Sequence, residues 1–140
     1  AIVMSPYLLS NTPGAGTYYL DAAKDSNGVF LDGAKSYRLR VPANPPVKRF
    51  WAVTAYDPQT RGLLDAGDNF NKTVGSNEDP EVNADGSVDV YFGPEAPEGK
   101  ERNWVPTHPD KGFFLVFRFY GPLESFIDKT WVLDDFELVE

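Results

Sequence analysis

His108, in the run Pro106-Thr107-His108-Pro109, is the one histidine of the chain. A Ser-His-Asp or Cys-His centre would have to use it, because the nucleophile needs an imidazole beside it. No G-x-S-x-G elbow accompanies it, cysteine is absent, and no second imidazole exists for a typical zinc site. His108 is therefore expected to be a solvated loop residue. Glu81 to Asp89 (EVNADGSVD) sets oxygen-bearing side chains at alternate positions with Gly86 at the sixth, which is part of a calcium loop. The twelfth position is Phe92, where that loop needs a bidentate glutamate, and the run turns directly into a strand. A hairpin turn without a metal is the expectation. Carboxylates also come in pairs, Glu78 with Asp79, Glu98 with Glu101 and Asp134 with Asp135. Glycoside hydrolysis needs two carboxyls across a cleft at a defined separation, and nothing in the sequence selects one pair. No catalytic residue and no cofactor are expected.

Aromatic side chains are the other chemistry on offer. Trp51, Trp104 and Trp131, with seven tyrosines, could build a sugar-stacking platform. Trp51 sits inside an apolar run and reads as core. Trp104 lies in a proline-rich connection and, with Tyr91, is the candidate ligand platform, the ligand class being carbohydrate. Asn71-Lys72-Thr73 is an N-glycosylation sequon, with Asn71 as the acceptor on a surface loop.

The frame for these side chains is set by Gly112 to Gly121, GFFLVFRFYG. Read with period two, one face carries Phe113, Leu115, Phe117 and Phe119, and the other carries Phe114, Val116, Arg118 and Tyr120. A strand apolar on one face and half-apolar on the other belongs in the middle of a sheet with material over both sides. Lys35 to Val41 alternates, with Tyr37, Leu39 and Val41 inward and Ser36, Arg38 and Arg40 outward. Phe50 to Asp57 is the second major strand, and Ser87 to Gly93 follows the Asp85-Gly86 turn with Val88, Val90 and Phe92 on one face. Thr17 to Leu20, Val29 to Leu31 and Gly62 to Ala66 read as short strands. Gly67 to Asn83 reads as an acidic loop, and 94–110 as a long connection without periodicity. PLESFIDK at 122–129 could form one or two helical turns, and Trp131 to Glu140 closes as an interrupted strand. The pattern is all-β: an antiparallel two-sheet jelly-roll sandwich of about eight strands with one short helix near 122–129.

Composition bounds the rest. With 140 residues, 41% hydrophobic and 14% aromatic, the chain is one globular domain that buries a core without staples. A net charge of −8 makes nucleic acid and anionic membranes poor partners, and no apolar run approaches the roughly 20 residues that span a bilayer. The opening AIVMSPYLL has neither an initiator methionine nor a basic n-region, as a processed mature protein would. It is apolar and is followed by the turn-rich spacer Ser10 to Gly16. Such an arm either packs as the first strand of its own domain or inserts into a neighbouring subunit as an added strand.

The runs DGAKSYRLRVPANPPVKRFWAVTAYDPQTRGLL, NADGSVDVYFGPEAPEGKERNWVPT and KGFFLVFRFYGPLESFIDKTWVLDDFELV together resemble the family of the domain of unknown function 1214. The resemblance covers roughly residues 28 to 140. It implies a jelly-roll fold at the C-terminal end of a two-domain protein, behind a companion domain numbered 1254, and carries no catalytic residue over. The 140 residues hold no stretch resembling that companion, so a surface that would pack against it needs another cover.

The resulting expectation is a non-enzymatic, secreted or extracellular structural subunit. Residues 1–16 form an apolar arm and spacer, and residues 17–140 the jelly roll. Its partners are other copies of itself, assembled into a filament through Ala1, Ile2, Val3, Met4, Tyr7, Leu8 and Leu9. The alternatives are a carbohydrate-binding module, or the C-terminal domain of a two-domain hydrolase-like protein.

Overall fold

The computed structural model describes residues 2–5, 17–25, 27–43, 47–57, 59–60, 73–122 and 137–139. Nine strands run through them: β1 (Ile2–Ser5), β2 (Thr17–Ala22), β3 (Ser36–Val41), β4 (Val47–Tyr56), β5 (Val74–Gly75), β6 (Val88–Gly93), β7 (Trp104–Pro106), β8 (Phe114–Pro122) and β9 (Glu137–Val139). They form a five-stranded sheet in the order β1-β2-β8-β4-β5 and a four-stranded sheet in the order β7-β6-β3-β9. The chain passes repeatedly from one sheet to the other, as a jelly-roll sandwich requires.

β8 is the middle strand of the larger sheet, as its composition demands. Its register sets Leu115 beside Ala22 and Ala55, Phe117 beside Leu20 and Val53, and Phe119 beside Tyr18 and Trp51. Phe113, Leu115, Phe117 and Phe119 are all buried. Phe117 lies between Trp51 at 5.3 Å and Phe119 at 4.5 Å, ring centre to ring centre, in stacked geometry. The opposing sheet supplies Tyr37, Leu39, Val41, Val88, Val90, Phe92 and Val105, so both inner faces meet in one core. Phe113 bridges the sheets, edge-on to Tyr37 and stacked on Phe92. Each fully buried side chain of this size stabilises the fold by about 1.5–3 kcal/mol, which is why alternation alone decides which face turns inward. Tyr37 keeps its hydroxyl satisfied by accepting the Asp32 N–H at 3.0 Å, and burial pushes its phenol up.

Three differences from the sequence reading have physical causes. β7 pairs with β6 in parallel, not antiparallel, because the connection 94–103 is long enough to return the chain to the start of the sheet. β7 is an edge strand, the place where Pro106 is tolerated in a ladder. Val74–Gly75 pairs with β4 inside a stretch that reads as loop; Val74 is fully buried, and Gly75 comes so near the Trp51 carbonyl that a Cβ would sit 2.4 Å from it. Val29 to Leu31 forms only an isolated bridge, Lys24 to Phe30. The strand expected at 62–66, helical turns over 123–129 and the start of the last strand at 131–136 lie outside the described residues; Pro122 itself ends β8.

Candidate functional site

Trp104 and Tyr91 come together. The parallel register of β7 and β6 makes them direct neighbours, and the antiparallel register of β6 and β3 adds Arg38 to the same row. All three lie on the outer face of the four-stranded sheet and are half-buried, while Val90, Phe92 and Val105 turn into the core. The Trp104 indole Nε1 donates to the Gly93 carbonyl at 3.0 Å, which fixes the ring. Gly93 and Pro106 occupy the next positions on that face of β6 and β7, and both are buried. On the other side, Arg40 grips Asp89 with two bonds, 2.8 and 3.2 Å, and Asn83 Nδ2 donates to the same carboxylate at 3.2 Å. The Arg40 hydrogen bond, ahead of the other causes, holds the Asp89 carboxyl below its usual range. Lys100 Nζ bonds Glu81 at 2.9 Å, and that hydrogen bond raises its ammonium above the usual value.

Asn103 positions this row, and the sequence reading passed over it. Its buried amide accepts the Glu81 N–H at 2.7 Å and donates to the carbonyls of Glu81 at 2.8 Å and Asp89 at 2.9 Å. The 3-10 turn Glu101–Asn103 that delivers Trp104 is thereby tied to both the 81 loop and β6. A lone asparagine in a connection carries no periodic signal, so nothing in the sequence marks it. Arg38, by contrast, was legible as an outward position of β3.

The outer face of the five-stranded sheet is aromatic. Phe50 stacks on Tyr120 at 4.1 Å and Tyr56 on Phe114 at 5.5 Å, these rings being half-buried. Between them Arg118 lies over the Tyr56 ring, 5.6 Å from its centre, and donates to the Tyr56 hydroxyl. Ala52 and Thr54 are buried under this cover, and Thr54 shares a hydroxyl bond with Thr73 at 2.9 Å. Among the outward positions of β4 from Phe50 and of β8 up to Tyr120, Arg118 is the one charged side chain.

The residues that could do acid–base chemistry are dispersed or paired off. His108 is half-buried, and its Nδ1 accepts the Asp110 N–H at 3.1 Å within its own turn, which leaves Nε2 to carry the proton. A cavity of about 120 Å³ beside that turn is lined by Asp57, Gln59, Asp110, Lys111 and Gly112. Asp57 is buried there; its Oδ1 accepts the N–H groups of Gln59 and Thr60, and Lys111 Nζ lies 3.4 Å from Oδ2. The Gln59 N–H is the largest cause holding that carboxyl below its usual range. Glu78, Asp79, Glu98 and Glu101 are exposed, and Asp134 and Asp135 lie outside the described residues. In the Glu81–Asp89 stretch, Asp85 Oδ1 accepts both the N–H and the hydroxyl of Ser87, closing a hairpin turn at Gly86. Among the described residues no three His, Asp or Glu side chains gather within reach of one metal ion, and no helix is long and apolar enough to cross a membrane.

Of the arm, Ile2, Val3 and Met4 form β1 beside β2 of their own chain, at the edge of the larger sheet. Ala1, Tyr7, Leu8 and Leu9, the sequon Asn71 and Trp131 lie outside the described residues.

The described residues form a two-layer β-sandwich with one aromatic outer face and one mixed aromatic and charged outer face. Residues 16–124 match the profile of the family described as protein of unknown function, DUF1214, and the chain belongs to that family. Among solved structures it is similar to the VPA0106 protein from Vibrio parahaemolyticus, with 27% identity over 89% of this chain and a TM-score of 0.76. It shares its fold with an uncharacterised protein from Burkholderia cenocepacia, at 18% identity over 94% of this chain and a TM-score of 0.52. The chain spans 31% of the length of each of those proteins. A comparison with curated proteins gave no match.

Proposed function

We propose that this chain is a non-catalytic assembly module that associates with a second copy of itself through the outer face of its five-stranded sheet. The observation that carries the reading is the paired aromatic stacks, Phe50 on Tyr120 and Tyr56 on Phe114, set outward on the two most apolar strands. Aromatic side chains with an arginine among them are the groups enriched at interface hot spots. Two copies carrying −8 each repel; the outward positions of β4 from Phe50 and of β8 up to Tyr120 hold one cation, with Asp21 of β2 beside Val116 on the same face, so this contact adds little like-charge repulsion. Among the described residues β1, a four-residue strand, lies at the edge of that sheet, and an edge strand is where pairing with another chain can occur. Exchange of β1 between copies would turn a closed contact into a head-to-tail one, and head-to-tail contacts continue into filaments.

Light scattering behind size exclusion, with negative-stain microscopy of the same material, tests this. The expected result is a dimer or filament that dissociates in Phe114→Lys, with the circular dichroism of the sandwich retained. Deleting residues 1–10 should shorten or abolish filaments while leaving the sheet-face contact. A monodisperse monomer at millimolar concentration overturns the proposal.

A further inference from the structure

We infer that the outer face of the four-stranded sheet is a binding strip for a neutral polysaccharide, with Trp104 and Tyr91 as its stacking floor. The inference stands on a different face from the proposed self-association and does not depend on it. Adjacent strands lie about 4.8 Å apart, so the register sets the two aromatic residues side by side on one face of the sheet. The apolar face of a pyranose ring matches such a surface, as apolar faces do generally against aromatic rings. The indole is fixed before any ligand arrives, because its Nε1 is held by the Gly93 carbonyl. A preordered ring loses little conformational freedom on binding. It also contributes stacking and no hydrogen bond, so hydroxyl recognition falls to the row's flanks: Arg38 beside Tyr91, the Arg40–Asp89 pair and the Lys100–Glu81 pair.

The shape argues for a chain rather than a small molecule. The row lies on a sheet face at an edge strand, and the polar cavity at Asp57 is lined by none of its residues. The charge argues for a neutral chain. Arg40 and Lys100 are already paired with Asp89 and Glu81, and the whole chain carries −8. A polyanion would meet no surplus cation there.

Titration of intrinsic tryptophan emission with cellohexaose and with laminarin tests the strip, with polygalacturonate as the acidic arm. The expected result is a saturable change with one or both neutral glycans and none with polygalacturonate. Tyr91→Ala should weaken that binding about tenfold, the size of a lost stacking contact of roughly 1.4 kcal/mol. Trp104→Ala should abolish it, with affinity electrophoresis reading the variant that has lost its fluorophore. Phe30→Ser, in an exposed hairpin remote in the strand order from this row, should leave it unchanged, and melting temperatures confirm that each variant is folded. No binding of either neutral glycan at 10 mM (about the weak end of useful affinities) overturns the inference. So does binding of polygalacturonate alone, or neutral-glycan binding that survives Tyr91→Ala and Trp104→Ala.

Discussion

Replacing Asn103 by alanine removes three hydrogen bonds at once: from the Glu81 N–H at 2.7 Å, to the Glu81 carbonyl at 2.8 Å and to the Asp89 carbonyl at 2.9 Å. A net contribution of about 1 kcal/mol for each bond gives roughly 3 kcal/mol for the side chain. Glu81 is exposed, so water can recover part of its two bonds, whereas the Asp89 carbonyl lies on β6 under the amide and is left short. The expected loss is therefore about 2–3 kcal/mol. For a chain of this length that lowers the melting temperature by roughly 8 °C. Urea titration and thermal melts followed by far-ultraviolet circular dichroism read the change. Asn103→Asp sharpens the test. It retains an oxygen for the Glu81 N–H but turns the other oxygen toward two carbonyls, so above pH 4 (about the ordinary carboxylate value) it should do no better than alanine. A loss below about 1 kcal/mol for Asn103→Ala, less than a single ordinary bond of this network, would refute the reasoning. Full rescue by aspartate would refute the orientation of the amide. Because Asn103 precedes Trp104 directly, the same variant should also weaken any ligand held on the Trp104–Tyr91 row.

Gly33→Ala should be among the most damaging single-methyl additions in the chain. Its Cβ would lie 1.9 Å from the His108 carbonyl oxygen and 2.5 Å from that of Lys111, both backbone atoms, where Gly33 also accepts the Thr107 hydroxyl. A loss above about 2 kcal/mol or failure to fold is expected in denaturant titration, and wild-type stability would mean the two turns are not packed together. Acid should destabilise the fold through Asp57, Asp85 and Asp89, whose carboxyls are all held below their usual range. Since the folded values are the lower ones, this stabilisation is fully present above the unfolded value of about 4 and is lost as pH falls through the folded values. Urea midpoints measured from pH 7 down to 2.5 should fall steadily below about pH 4, and Arg40→Gln should shallow that fall by removing the main cause at Asp89; a midpoint that is flat or rises on acidification would overturn the assignment.

The core was legible because the residues that build it obey one short-range rule. Period-two alternation in 113–119, 37–41 and 88–92 puts Phe, Leu, Val and Tyr on one side, and burying them follows from hydrophobicity alone. What was not legible depends on pairing across long separations. Nothing local says that Trp104 lies beside Tyr91 in a parallel ladder, because Trp104 sits in a three-residue strand between prolines, too short to show a period. Val74–Gly75 escaped for the same reason: two residues carry no alternation, and only the approach of β4 makes the glycine necessary.

The same distinction bears on function. Hydrophobic pattern tells which side of a strand is buried, and on the central strands it also told that the second side is not an ordinary wet face. The aromatic stacks found there, Phe50 on Tyr120 and Tyr56 on Phe114, give that half-apolar face a structure: two ring pairs bracketing one arginine. The opposite sheet turns outward a row of charges matched within the sheet, interrupted at its edge by two aromatic rings. Asp57, Asp85 and Asp89 are each engaged by backbone, serine or arginine donors, and His108 is turned into its own loop. Both proposed contacts, with a second copy and with a glycan, draw on these aromatic outer positions, Phe50, Tyr56, Phe114 and Tyr120 on one sheet and Tyr91 and Trp104 on the other.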